Sequence, residues 1–198
     1  WGMNATTPNR IVSSGGNFAY PNSAMETPDT QQAIFEFPNF TMIWEHANGI
    51  GLGPYQRSHG ISFIGNNGTL IVDRRGWEVL SEIENEQGVK RSKLEPVERR
   101  SAKSGETGLA QHTSNFVNAI RENEELNCDI NVGSLAAINA HMGNVALKTR
   151  SSLVWNHQSQ MFDFNDEANV LMTPVYRTPW STPSKKELAP AQQLFSFC

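Results

Sequence analysis

The chain is expected to adopt an α+β fold: a predominantly antiparallel open sheet of about six strands with helices packed on one face. Three observations lead there. Up to Ile83 the sequence is a series of short runs rich in β-branched and aromatic residues, punctuated by Pro, Gly and Asn. From Leu109 onward, apolar residues recur at helical spacing instead. Between two of the strand candidates lies Asn67-Gly68, a pair that readily supplies the positive φ angles of a tight hairpin turn, so that neighbouring strands run antiparallel.

Taken in order, the strands are expected at Asn9–Tyr20, Thr30–Phe37, Thr41–His46, His59–Gly65, Thr69–Asp73 and Trp77–Ile83. Successive side chains of a strand point to opposite faces, so Ala33, Phe35 and Phe37 share one face and Ile34 the other, while Met42 and Trp44 oppose Ile43. Apolar residues on both faces imply helices on one side and a second covered surface on the other. The helical stripes are Leu109, Thr113, Phe116, Val117 and Ile120, then Leu135, Ile138, Met142, Val145 and Thr149. Each is expected to cover the sheet. A short helix over Asp166–Met172 precedes a Pro-rich, irregular extension.

Composition bounds the function. With 198 residues, 38% of them hydrophobic, the chain can bury a core without disulfides or metals, and one domain is expected. A net charge of -4 supplies no general attraction to nucleic acid, and Arg74, Arg75, Arg99 and Arg100 read as solvated loop charges. Cys128 and Cys198 lack zinc-ligand company, so a reduced, inert Cys128 is expected. No apolar run approaches the roughly 20 residues that span a bilayer, so a soluble protein is expected, cytoplasmic or exported alike. The sequons at Asn4, Asn39 and Asn67 arise by chance in an Asn-rich chain.

Motifs for chemistry are sparse. Gly49, Gly51 and Gly53 complete neither dinucleotide nor P-loop spacing, and no nucleophile elbow, His-Glu-x-x-His or paired-cysteine motif occurs. Of the five histidines, His141 and His112 read as structural. His46 and His59 flank the Gly-rich connection beside Glu45 and Arg57, which makes them the better binding candidates. Near the end, Tyr176-Arg177-Thr178-Pro179-Trp180 combines a planar cation with aromatic surfaces, a set that suits a sugar or polyol. Alternatively, Trp180 anchors the chain in the core and Arg177 pairs nearby. Trp155 reads as packing.

Several segments in order carry a resemblance: TPNRIVSSGGNFAY, PDTQQAIFEFPNFTMIWEHANG, HGISFIGNNGTLIVDRRGWEV, HTSNFVNAIRENEELNCDINVG and ANVLMTPVYRTPW. Over residues 1–180 the chain resembles the carboxy-terminal domain of the Gfo/Idh/MocA oxidoreductases, bacterial subgroup. It departs from that pattern in the charged segment Glu84–Glu106, in the WEHAN sequence, and in residues 181–198, which read as an irregular tail. The resemblance implies a substrate-binding and oligomerisation domain, self-associating through the open sheet face. It also implies a parent with an amino-terminal Rossmann domain that binds NAD or NADP and a sugar-like substrate that exchanges hydride with it. The family's proton-handling Lys, Asp and His have no counterpart in these residues, so no catalytic residue is assigned and this chain alone is expected to hold no cofactor. A substrate surface is expected at Glu45, His46, His59, Tyr176, Arg177 and Trp180. Two other readings stay open: the same domain of an NAD-dependent glycosidase of the superfamily, or a stand-alone carbohydrate-binding or scaffolding module.

Overall fold

A computed structural model describes residues 2–102, 108–173 and 175–181. In chain order the elements are β1 (Arg10–Gly16), β2 (Thr30–Glu36), β3 (Thr41–Ala47), a 3-10 turn at Pro54–Gln56, β4 (Ile61–Ile64), β5 (Gly68–Asp73), β6 (Gly76–Ser81), β7 (Ile83–Glu86), β8 (Val89–Ser92), β9 (Val97–Ser101), α1 (Leu109–Glu122), α2 (Ile130–Thr149), β10 (Leu153–Asn156), β11 (Met161–Asp163) and α3 (Asp166–Leu171). The strands form sheets in the orders β11-β10-β1-β2-β3, β4-β5-β6-β9 and β7-β8. The α+β class and the antiparallel pairing are as expected. The strands are more numerous, and among the described residues they divide into sheets of five, four and two.

The residues cluster into two compact units. One comprises the described residues up to Ser14, Gln32–Trp44 and those from Ala137 onward; the other comprises Gly15–Gln31 and Glu45–Ala136. The tail expected at 181–198 lies outside the described residues from position 182.

In the first unit, alternation builds the core. Ala33 and Phe35 of β2 are buried while Ile34 is exposed, and Leu153 and Trp155 of β10 are buried while Val154 is exposed. β10 pairs antiparallel with β1, which sets Ile11 opposite Leu153. Against them α2 lays Met142, Val145 and Ala146, an i, i+3, i+4 stripe. Trp155 meets Phe162 of β11 edge to face, with centroids 5.1 Å apart, so Trp155 packs as read. Asn165 caps α3 by accepting from the Ala168 amide at 2.9 Å, and the Asn169 side chain bonds both the amide and the carbonyl of Phe162.

In the second unit, β5 is central and pairs with β4 and β6 in unbroken register. The β4–β5 hairpin falls where Asn67-Gly68 predicts it, but for a different reason. Gly68 lies inside β5, and a Cβ there would stand 2.4 Å from the Leu80 carbonyl oxygen and 2.9 Å from Leu94 Cδ2. Close approach, not a positive φ, requires the glycine. Gly76 needs both freedoms: its φ is 148°, and a Cβ would sit 2.1 Å from the Arg100 carbonyl oxygen.

Two expectations are corrected. The charged stretch from Glu84, where no strand was expected, is a hairpin: β7 and β8 pair Glu84 with Arg91 and Asn85 with Lys90 around a turn in which Gln87 and Gly88 both have positive φ, and Arg99 and Arg100 were expected to be loop charges. Those two lie on β9 instead. The apolar stripe of α1 is not covered, since Leu109, Phe116 and Ile120 are exposed. What α1 buries is Asn115, whose amide bonds Glu124 and the Glu125 carbonyl and accepts from the Asn127 amide. A polar anchor for the following loop has taken the inward position.

Candidate functional site

The four-stranded sheet presents two unlike faces. Directly paired residues share a face, so Ile61, Phe63, Leu70, Val72, Trp77 and Val79 lie on one side, with Ile61 60% exposed. Arg100 of β9 stands over the Trp77 ring, 5.3 Å from its centroid. The other side carries Asp73 and Glu78 beside Ile71, Ile64 and Leu80.

Asp73 joins two cations. Its carboxylate accepts from Arg99 at 3.1 Å on both oxygens and pairs with Arg57 at 3.2 Å, and the second guanidinium arm of Arg57 pairs with Glu78. The Asp73 side chain is 6% exposed and that of Arg57 16%, so these are nearly buried charges matched in a small network. Its structural effect is to pin the far end of the segment 48–60, which leads from β3 to β4. Within that segment Tyr55 and Gln56 both have positive φ, and the Gly53 amide donates to the Arg57 carbonyl at 2.8 Å.

A second anchor holds the β1–β2 connection. Asp29 is fully buried, and its carboxylate accepts from the amides of Phe18, Ala19 and Tyr20 and from the Thr30 hydroxyl. Its own amide donates to Asn17 Oδ1, and its carbonyl accepts from the Asn48 amide at 2.8 Å. Burial pushes the Asp29 carboxyl up, but the bonds from Tyr20, Thr30, Phe18 and Ala19 together hold it below its ordinary value. A carboxylate with a lowered folded-state pKa stabilises the fold above the unfolded value of about 3.9, and that contribution fades as pH falls through the folded value. Asp29→Asn is therefore expected to lower the urea midpoint at about pH 7, with a gap to the parent that narrows toward about pH 3. Equal gaps at both pH values would remove the charge from the account.

Around these anchors sit the candidate residues of the second unit. Glu45 and His46 end β3, with Glu45 exposed and His46 half-buried. His59 is exposed at the other end of the connection, two residues beyond the Arg57 clamp, its Nδ1 3.1 Å from Ser58 Oγ. No hydrogen bond or ion pair joins these three among the described residues. A shallow, open depression of about 420 Å³ is lined by Tyr20, Pro21, Asn22 and Ser23.

In the first unit, Tyr176, Arg177 and Trp180 share one turn, closed by the Trp180 amide donating to the Arg177 carbonyl at 2.8 Å. Trp180 is 68% exposed and Tyr176 47%, so Trp180 does not anchor the chain in the core. Sequence reasoning missed His157, which is held from both sides: Nδ1 lies 3.0 Å from Thr7 Oγ1 and Nε2 3.0 Å from Asn9 Oδ1. Asn139 joins the neighbouring backbone by donating to the Thr6 carbonyl at 2.8 Å. Nothing in the local sequence of His157 signals partners so distant along the chain.

The glycines at 49, 51 and 53 lead into the three-residue 3-10 turn, not into a helix. They offer no helix amino terminus for a pyrophosphate, so these residues do not fit a dinucleotide. Among the described residues no cluster of His, Cys, Asp and Glu could hold a metal ion, and no helix is long and apolar enough to cross a membrane.

This architecture has counterparts among solved structures. A proposed oxidoreductase from Klebsiella pneumoniae matches it with a TM-score of 0.51 at 12% identity, over 84% of this chain and 47% of that one. The likeness is one of fold. Bacillus subtilis yvaA, also described as a proposed oxidoreductase, matches with a TM-score of 0.49 at 9% identity, over 76% of this chain and 46% of that one. An Agrobacterium radiobacter oxidoreductase, solved with NAD+, L-tartaric acid and magnesium, matches with a TM-score of 0.46 at 12% identity, over 75% and 43%. The chain spans about half the length of these structures. No protein-family profile and no curated protein matches the sequence.

Proposed function

We propose that the chain is the substrate-binding and oligomerisation domain of a Gfo/Idh/MocA-type, NAD(P)-dependent oxidoreductase acting on a sugar or polyol. The observation that carries this reading is the fold shared over 84% of the chain with 47% of an oxidoreductase-described structure, in a sequence whose motifs follow the order of that family's second domain. NAD or NADP binds a Rossmann domain outside these residues, and this chain orients the substrate toward it. In the second unit Glu45, His46 and His59 are the proposed polar contacts, and in the first Tyr176, Arg177 and Trp180 are a proposed guanidinium with aromatic surfaces, each set by itself. Titrating the chain with a panel of sugars and polyols should move the NMR resonances of His46 and His59 and the indole of Trp180, whereas NAD and NADP should bind no tighter than millimolar. Micromolar cofactor binding by this chain, or a panel that moves none of these resonances, would sink the reading.

A second copy of the chain is the proposed partner, meeting the sheet surface formed by Ile61, Leu70 and Trp77. Light scattering should give a dimer or larger species that Ile61→Lys disperses. A monomer at high concentration argues against it.

A further inference from the structure

The chain contains two Asn-Gly pairs, Asn48-Gly49 and Asn67-Gly68, and the fold treats them differently. Asn-Gly is the dipeptide in which the following backbone nitrogen can most easily reach the Asn side-chain carbon, because glycine puts no Cβ in the way; whether it does so depends on how freely the intervening peptide turns. At Asn67-Gly68 that peptide is held. The Asn67 carbonyl accepts from the Glu82 amide at 2.9 Å, and Gly68 is the first residue of β5, wedged against the Leu80 carbonyl and the Leu94 side chain. At Asn48-Gly49 packing alone restrains it, a Cβ on Gly49 standing 2.5 Å from that of Ala19, and no hydrogen bond does. Both residues are exposed in a turn after β3, and among the described residues neither the Asn48 carbonyl nor the Gly49 amide has a hydrogen-bond partner.

We propose that Asn48 is a site of spontaneous backbone-assisted deamidation in the folded protein, and that Asn67 is protected by its strand. The Gly49 nitrogen attacks Asn48 Cγ, a C–N bond forms, the amide proton is lost and ammonia leaves, giving a five-membered succinimide. Solvent water then opens either ring carbonyl to yield an aspartyl or an isoaspartyl residue. No oxidation or reduction occurs, and the sum is amide plus water to carboxylate plus ammonium.

The position gives the reaction a structural consequence. The Asn48 amide donates to the carbonyl of Asp29, whose carboxylate gathers the amides of Phe18, Ala19 and Tyr20. An isoaspartyl linkage routes the main chain through the former side chain and lengthens it by one carbon immediately after that hydrogen bond. Either product also places a new negative charge two residues from His46. Ageing of the protein therefore loosens the connection between β3 and the Asp29 anchor.

Tryptic mapping separates the two sites, since residues 11–57 and 58–74 fall in different peptides. During incubation of the folded chain at mildly alkaline pH, the peptide 11–57 should convert first, with isoaspartate at position 48. One backbone hydrogen bond of ordinary net strength should slow Asn67 by roughly fivefold to tenfold. In urea the two rates should converge, because the protection at Asn67 is structural. Asn48→Gln should abolish the early acidic species without lowering the urea midpoint. Equal rates in the folded chain, faster conversion at Asn67, or no conversion at Asn48 while unfolded Asn48 reacts would each overturn the proposal.

Discussion

Phe35→Ala is expected to cost about 3–5 kcal/mol, the range for deleting a large aromatic from a packed core. Phe35 is 3% exposed, and its ring lies where α2 presents Gly143: a Cβ added at Gly143 would stand 3.0 Å from Phe35 Cζ. The helix approaches β2 closely because both sides of that contact are already filled, one by a ring and the other by the lack of a side chain. Removing the ring leaves a void that Ala33, Met142 and Ala146 cannot close without shifting α2. Hydrogen exchange should read the effect locally, with lost protection in β2, β10 and α2. A loss under about 1 kcal/mol would mean that the site collapses freely and that the core is not close-packed there.

Asp73→Asn should cost more than any other change within the ionic network of the four-stranded sheet, at about 3 kcal/mol. That is the lower end of the range for removing one partner of a buried ion pair, chosen because Arg99 remains 29% exposed. The substitution keeps the volume and removes the charge shared by Arg57 and Arg99. Glu78→Gln should cost less, since Glu78 is 21% exposed and has Arg57 alone as an ionic partner among the described residues. Urea titration of the two variants, with exchange protection followed in β4, β5, β6 and β9, checks the order. If Glu78→Gln proves the worse of the two, Asp73 is not the centre of the network.

Much of the fold was legible because burial on one side writes a period into the chain. Ala33 and Phe35 against Ile34, and Met142 with Val145 and Ala146, are such records. Where both sides face water there is no period to read, which is why β7 and β8 with their Glu, Lys and Arg were not among the expected strands. The α1 stripe shows the converse: spacing reveals that one face is apolar, not what covers it. The anchors were hidden for another reason. Asp29 looks like a solvated turn residue and Asp73 like the end of a strand, and their partners are assembled by hairpin geometry and by a loop folding back, neither of which leaves a spacing signature. Of the candidate site, the closing Tyr176-Arg177-Trp180 turn was visible as a motif, while the His157 contacts with Thr7 and Asn9 span most of the chain.

The pairing of β1 with β10 sets a schedule for the newborn chain. Ile11 leaves the ribosome about 140 residues before its partner Leu153, an interval of roughly 7–30 s at ~5–20 residues per second. Throughout that interval β1 has β2 on one edge but lacks β10 on the other, and Ile11 waits for Leu153 and, until late in it, for α2. An unpaired strand edge is a template for other chains. Expression at low temperature, which slows elongation as well as collisions, should therefore help this protein less than co-expressed holdase chaperones, which shield the waiting strand until β10 has been made.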